Sequence, residues 1–425
     1  MVVTKPRTPG LQRICIAAAL SASAVACGSH KAIPLDSRDS TDTGSADGGL
    51  PAVPAVLPVG TPLISDTAAC KGGGPSVGPS PLRRISRVEY NAMVHDLLGD
   101  TTHPADAFVA ESPLANGVNF QANTYTLVTS TFIPQQYLQA AETLAATAVT
   151  KNLSAVVSCS AQANDACAQQ FIGDFGGRAF RAPVEAEESA SLFQLYSDVK
   201  AQFDFATGVQ AVITAVLTSP RFLFVFEFGV GDPTGGVVAL SPYEMAARLA
   251  LYLWRSVPDA TLMQAAASGQ LATADQVAAQ ATRMVQQSPD AARNALEDFA
   301  TQWLELENTE AVTKDSQYTT WVPALATDLK TESLKTVSSY FLSSGGASSS
   351  DASTGGGSIT GALADLLTSP SSYVNANVAK FYGVAMPGSL DADGFGLTNV
   401  NPDPSHPVRE GILTNGSVLA TQAHT

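Results

Sequence analysis

Three helix-start signals recur along the chain, each a hydroxyl residue followed three positions later by an acid or an amide. Ser86-Arg87-Val88-Glu89, Ser241-Pro242-Tyr243-Glu244 and Thr273-Ala274-Asp275-Gln276 are capping boxes. In each, the hydroxyl can accept from the third helical N–H while the longer side chain reaches back to the cap. Apolar residues then return at helical spacing: Tyr90, Val94, Leu97 and Leu98; Ala247, Leu251 and Trp254; Val277, Ala281, Met284 and Val285. Gly99 supplies a left-handed stop to the first helix. Ser288-Pro289-Asp290 opens another stripe through Ala292, Leu296, Phe299, Trp303 and Leu306. Four more stretches, near residues 132–149, 171–180, 185–203 and 209–217, carry the same period. The expected fold is therefore mainly α, with several small helical domains in series. Phe222 to Phe226 is almost wholly apolar and is expected to be buried, with strand and core helix both open.

The N-terminus reads as an export signal. Lys5, Arg7 and Arg13 precede the apolar run Ile14 to Leu20, which is too short to span a membrane. Ala24-Val25-Ala26-Cys27 then fits a lipobox, with Cys27 lipidated as the mature N-terminus, or a plain A-x-A cleavage site. The expected segments are a signal peptide over 1–26 and a Pro-, Gly- and Ser-rich tether over 27–80. Helical domains follow over 81–150, 151–232 and 233–386, the last interrupted by a Ser/Gly loop at 343–358. A loop-rich C-terminal part fills 387–425. Cys159 and Cys167 bracket a polar loop in a chain expected to meet an oxidising compartment, so they are expected to form a disulfide; Cys70 is left over.

Charge narrows the partners. Lys and Arg number 23 against 38 Asp and Glu, a net charge of −15, which a polyanion would repel, so nucleic acid is not an expected partner. No cofactor or metal site is expected. Gly74-Pro75-Ser76-Val77-Gly78 matches G-x-S-x-G but lies in the tether, and Ser197 to Lys200 matches S-x-x-K without its companion motifs. Asp391-Ala392-Asp393-Gly394 reads as a turn, because Pro402 stands where a calcium loop needs its bidentate acid. Asp100, His103 and Asp106 read as an ordinary loop, and His95 as a solvent-facing side chain. Glu227 stands out, following five apolar residues. It must be neutral, paired or turned to solvent, and Arg221 or Arg248 is the expected partner. With Glu244, these residues are the weak candidates for a catalytic site. Arg178 and Arg181, beside Phe180 and Pro183, are expected to anchor one helix to the next.

Further motifs carry a resemblance. Arg83 to Asn91 with Asp96-Leu97-Leu98-Gly99, Arg178-Ala179-Phe180-Arg181-Ala182-Pro183, Leu217 to Leu223 and Leu240 to Leu249 are its first stretches. Trp254, Pro258-Asp259, Gln302-Trp303-Leu304, Tyr382-Gly383 and Arg409-Glu410-Gly411-Ile412-Leu413 continue it. Together they resemble a family of large exported proteins of unknown function from planctomycetes and myxobacteria, whose domains sometimes accompany cytochrome c modules. The resemblance implies successive small helical domains and carries over no catalytic residue. Ala182 stands where the family usually has Arg. The chain stops at Thr425, where members usually continue, so this copy is expected to be truncated. The leading expectation is an exported, lipid-anchored or secreted envelope protein that binds or assembles with an envelope protein or a polysaccharide. The alternative is an extracellular enzyme acting on a polymer or working with redox partners.

Overall fold

The computed structural model describes residues 82–110, 120, 133–234, 237–315, 317–342, 359–401 and 409–423. The expected signal, tether and Ser/Gly loop, with Cys27, Cys70 and the Gly74–Gly78 motif, lie outside the described residues.

Strand β1 (Arg83–Arg84) leads into helix α1 (Arg87–Leu98), whose capping box forms in full at Ser86 and Glu89. Gly99 ends α1 with a φ of 72°, a conformation open to glycine at no steric cost. Next come α2 (Ile133–Lys151), α3 (Asp165–Phe180), α4 (Ala186–Gln202) and α5 (Phe205–Thr218). Their apolar stripes meet in one large core around Tyr90, Met93, Ile172, Tyr196, Ile213 and Leu217. The Cys159–Cys167 disulfide forms, and Asn164 between them caps α3 by accepting from Cys167 N at 2.9 Å.

The apolar run after Ser219 is divided between two kinds of structure. A helical turn, α6 (Pro220–Leu223), passes straight into β2 (Phe224–Val225), which pairs antiparallel with β1. Phe222 and Val225 are buried, whereas Phe224 and Phe226 are only half-buried, which corrects the expectation of full burial. Extended backbone sends alternate side chains to opposite faces, so this short ribbon cannot bury all of them.

A hairpin of β3 (Val230–Thr234) and β4 (Val237–Ala239) precedes α7 (Pro242–Leu253), again opened by a complete capping box. Helices α8 (Ala260–Ala267) and α9 (Ala274–Gln287) pack on α7 around Leu262, Ala266 and Met284. Helix α10 (Pro289–Trp303) follows, and its expected core residue Phe299 is instead exposed and stacked on Phe120. A 3-10 turn, Leu306–Ala311, leads to α11 (Pro323–Leu342), the longest described helix. It anchors α12 (Ile359–Thr368), β5 (Ser371–Val374) and α13 (Ala376–Tyr382).

The C-terminal part is more ordered than the loops expected from its Gly, Asp and Pro content. Strand β6 (Gly396–Asn399) pairs with β5 from Ser371↔Asn399 to Val374↔Gly396, and α14 (Gly416–Gln422) packs against α11. Both elements are too short to show a period, and their order comes from tertiary partners.

Candidate functional site

The charged residues singled out in the sequence gather around the β1–β2 ribbon and the start of α7. Arg83 forks onto Glu89 with two bonds of 2.8 Å, and Glu89 also accepts from Ser86 N at 2.8 Å. Burial pushes the Glu89 carboxyl up, but Arg83 and the Ser86 N–H outweigh it and hold Glu89 below the usual carboxylate range. Arg181 caps α3 in a left-handed conformation and is buried. Its guanidinium donates to the carbonyls of Arg221 and Phe224 at 2.8 Å and of Phe222 at 3.2 Å. Burial lowers its pKa to about 10. Arg181 thus fixes the end of α3 to α6 and β2, the anchoring role expected for it. Arg178 reaches α1, donating to the Asp96 carbonyl at 3.0 Å.

Of the weak catalytic candidates, the structure joins Glu227 to Arg248 and leaves Arg221 elsewhere. Arg248 Nε donates to Glu227 Oε1 at 2.8 Å, and its Nη2 takes the other oxygen. Arg221 pairs with Glu188 and lies 5.0 Å over the Phe180 ring. Glu244, one turn before Arg248, accepts from the N–H groups of Phe228, Gly229 and Ser241. Burial opposes its ionisation, but these donors hold its carboxyl below the usual range. The Glu227–Arg248 pair sits near solvent, with Arg248 49% and Glu227 12% exposed. On the same stretches, Phe228 is 78% and Tyr252 82% exposed.

The remaining motifs resolve into local structure. Asp391 accepts from the N–H groups of Asp393 and Phe395, and both aspartates hold Lys335 at 2.8 Å. This is the expected turn. Asp100 binds Thr102 and Asp106 binds Asn91, while exposed His95 faces Asp96. Among the described residues, no group of three His, Cys, Asp or Glu is placed to hold a metal ion. Ser197 donates to the Phe193 carbonyl and Lys200 to Asp165, so the S-x-x-K pair does not meet.

A second polar centre was missed in the sequence. Glu332 of α11 is 0% exposed. Ser372 of β5 and Tyr382 of α13 each donate to its carboxylate at 2.7 Å. The Tyr382 hydroxyl also accepts from Gly416 N at 2.7 Å. A Cβ on Gly416 would lie 2.8 Å from the Leu329 side chain and 3.1 Å from that hydroxyl, so any larger residue there must push Leu329 aside. Asn415 donates to Ser333 and Ser372, Ser333 meets Ser417, and Thr336 meets Ser372. Arg409, whose charge acts on Glu332, stacks over the Tyr382 ring at 3.9 Å and donates to the Thr414 carbonyl. Burial pushes the Glu332 carboxyl up to about 7, against the pull of Tyr382, Ser372 and Arg409. Its signal in the sequence was spacing: Leu325, Leu329, Glu332 and Thr336 recur on one helical face. A carboxyl held near neutrality suits general acid work, but a substrate must be able to reach it, and both oxygens here are enclosed.

Three family models match the chain. The model PSD3, protein of unknown function (DUF1587), matches residues 83–150. PSD5, protein of unknown function (DUF1595), matches 167–227, and PSD4, protein of unknown function (DUF1592), matches 240–354. No curated protein and no solved structure matches. The three belong to the planctomycete, cytochrome-associated set that the sequence motifs resemble.

Proposed function

From three domains of unknown function in series, we propose an exported, lipid-anchored cell-envelope protein that acts by binding or assembly. The observation that carries this reading is the exposed surface of α7 and of the residues just before its hairpin. There the Glu227–Arg248 pair lies near solvent, and on the same stretches of chain Phe228 and Tyr252 are each more than three-quarters exposed. Exposed aromatic rings beside paired charges suit recognition of another surface, an envelope protein or a polysaccharide. The other charges support the same reading, because Arg221, Glu244, Arg83 and Arg181 are each spent on holding one segment to the next. The leader with Cys27 supports export and membrane attachment.

Two measurements test the proposal. Mass spectrometry of the mature protein should find acyl mass on Cys27; a free, unmodified residue there overturns the anchor. Co-sedimentation with purified envelope polysaccharide and with envelope membranes should pellet the wild type. The double variant Phe228→Ala, Tyr252→Ala should lose at least tenfold in binding while its circular dichroism is unchanged. Wild-type protein that stays in the supernatant with both materials, or a double variant that pellets equally, overturns the binding surface.

A further inference from the structure

The Glu332 centre joins four separate pieces of chain through a network of hydrogen bonds and one cation–ring contact. Helix α11 supplies Glu332, Ser333 and Thr336; β5 supplies Ser372; α13 supplies Tyr382; and residues 409–423 supply Arg409, Asn415, Gly416 and Ser417. Among the described residues, Glu332 makes no ion pair. Each contact it accepts comes from a neutral hydroxyl. An ionised carboxylate in such a place has lost its water and gained no counter-charge at hydrogen-bonding distance, so ionisation is costly there.

We propose that Glu332 is a proton-operated latch: protonated, it keeps residues 409–423 docked on α11, and ionised, it releases them. The released segment ends in α14, which has only seven residues and is held by side chains of α11, α13 and the 3-10 turn rather than by its own length. Both donors to the carboxylate are tied to this segment: the Tyr382 hydroxyl accepts from Gly416 N, and Ser372 accepts from Asn415.

Two charged groups touch α14 itself, Lys314 donating to the Ala420 carbonyl at 3.3 Å and Glu305 accepting from Gln422 at 3.2 Å, and neither bonds Glu332. Tyr382 and Arg409 face it directly. The Tyr382 phenol is raised well above its ordinary value by burial and by Glu332 itself, so it stays protonated while Glu332 titrates. From α10, Glu297 is engaged by Ser338 and Asp298 by Arg255. In the 3-10 turn Glu310 is held by Lys330 and Thr327, and Glu307 is exposed. Asp365 of α12 is half-buried, and Lys380 of α13 and Glu410 are exposed. On α11 itself, Asp328 accepts from Asn377 and Lys335 is held by Asp391 and Asp393. Helix α14 and strands β5 and β6 carry no acid, Lys, Arg or His.

The test is hydrogen exchange of the full chain at about pH 5 and about pH 8, read as protection factors relative to α5 in the same molecule. Normalising to α5 removes the intrinsic pH dependence of exchange. Wild-type protection of residues 409–423 should fall roughly fiftyfold relative to α5 between the two conditions. Glu332→Gln, which keeps the shape and cannot ionise, should hold its protection at both. Tyr382→Phe, which removes a donor to the carboxylate, should move the transition to higher pH. The latch is overturned if wild-type 409–423 and α5 change in parallel, or if Glu332→Gln keeps the wild-type pH dependence. The wild-type measurement alone decides the matter should either variant fail to fold.

Discussion

Two glutamates, Glu89 and Glu332, are equally removed from water and titrate in opposite directions. Glu89 lies under the forked guanidinium of Arg83 and accepts a backbone N–H, and its carboxyl is held below the usual range. Glu332 receives two hydroxyls and no cation at bonding distance, and its carboxyl rises to about 7. Burial pushes both carboxyls up; what differs is whether the neighbourhood brings a full positive charge to bonding distance. The consequences for stability have opposite signs. A lowered acid stabilises the fold above its ordinary pKa and loses that contribution as pH falls. A raised acid contributes most below its ordinary pKa, and the contribution is lost as pH climbs through the folded value.

The largest expected effect comes from Glu89→Gln. It strands Arg83 without its counter-charge and weakens the α1 cap, costing about 4 kcal/mol in a denaturant titration at neutral pH. If Glu89 behaved like Glu332, neutralising it would cost little, and the contrast would collapse. Arg181→Met comes next. It leaves the carbonyls of Arg221, Phe222 and Phe224 without their donor and should cost about 2 kcal/mol by the same measurement. A variant as stable as the wild type would mean that these carbonyls find other donors and that Arg181 is no anchor. Glu227→Gln should cost least, about 1 kcal/mol, because Arg248 is half-exposed and water can replace its partner. An enclosed pair would instead lose on the order of 3 kcal/mol. A loss of that size would show the pair to be enclosed and would move it into the class of Glu89.

What was legible in the sequence follows the same division. The capping boxes at Ser86, Ser241 and Thr273 form as read, because each depends on residues three positions apart and on nothing distant. That Glu227 would pair with an Arg was legible because an acid after five apolar residues calls for a cation, but the choice between Arg221 and Arg248 was left to the fold. Glu332 was not legible. Its partners come from 40, 50 and more residues away, from β5, α13 and the stretch around Arg409, and none shares a local pattern with it. Tyr382-Gly383 and Arg409-Glu410-Gly411 did appear among the family-like motifs, but only the fold shows Tyr382 and Arg409 meeting at one carboxylate. The strand β6 and helix α14 escaped notice for the same reason, since each is too short to be ordered without its tertiary partner.

The central claim is that the partners of two buried carboxylates decide in which direction burial and charge move each one. The most direct measurement is the unfolding free energy of wild type and of Glu332→Gln across about pH 4.5 to about pH 8. Relative to the Gln variant, the wild type should lose about 3 kcal/mol as pH rises through this range, with most of the loss complete near neutrality. Two curves that run parallel across the whole range would contradict the account.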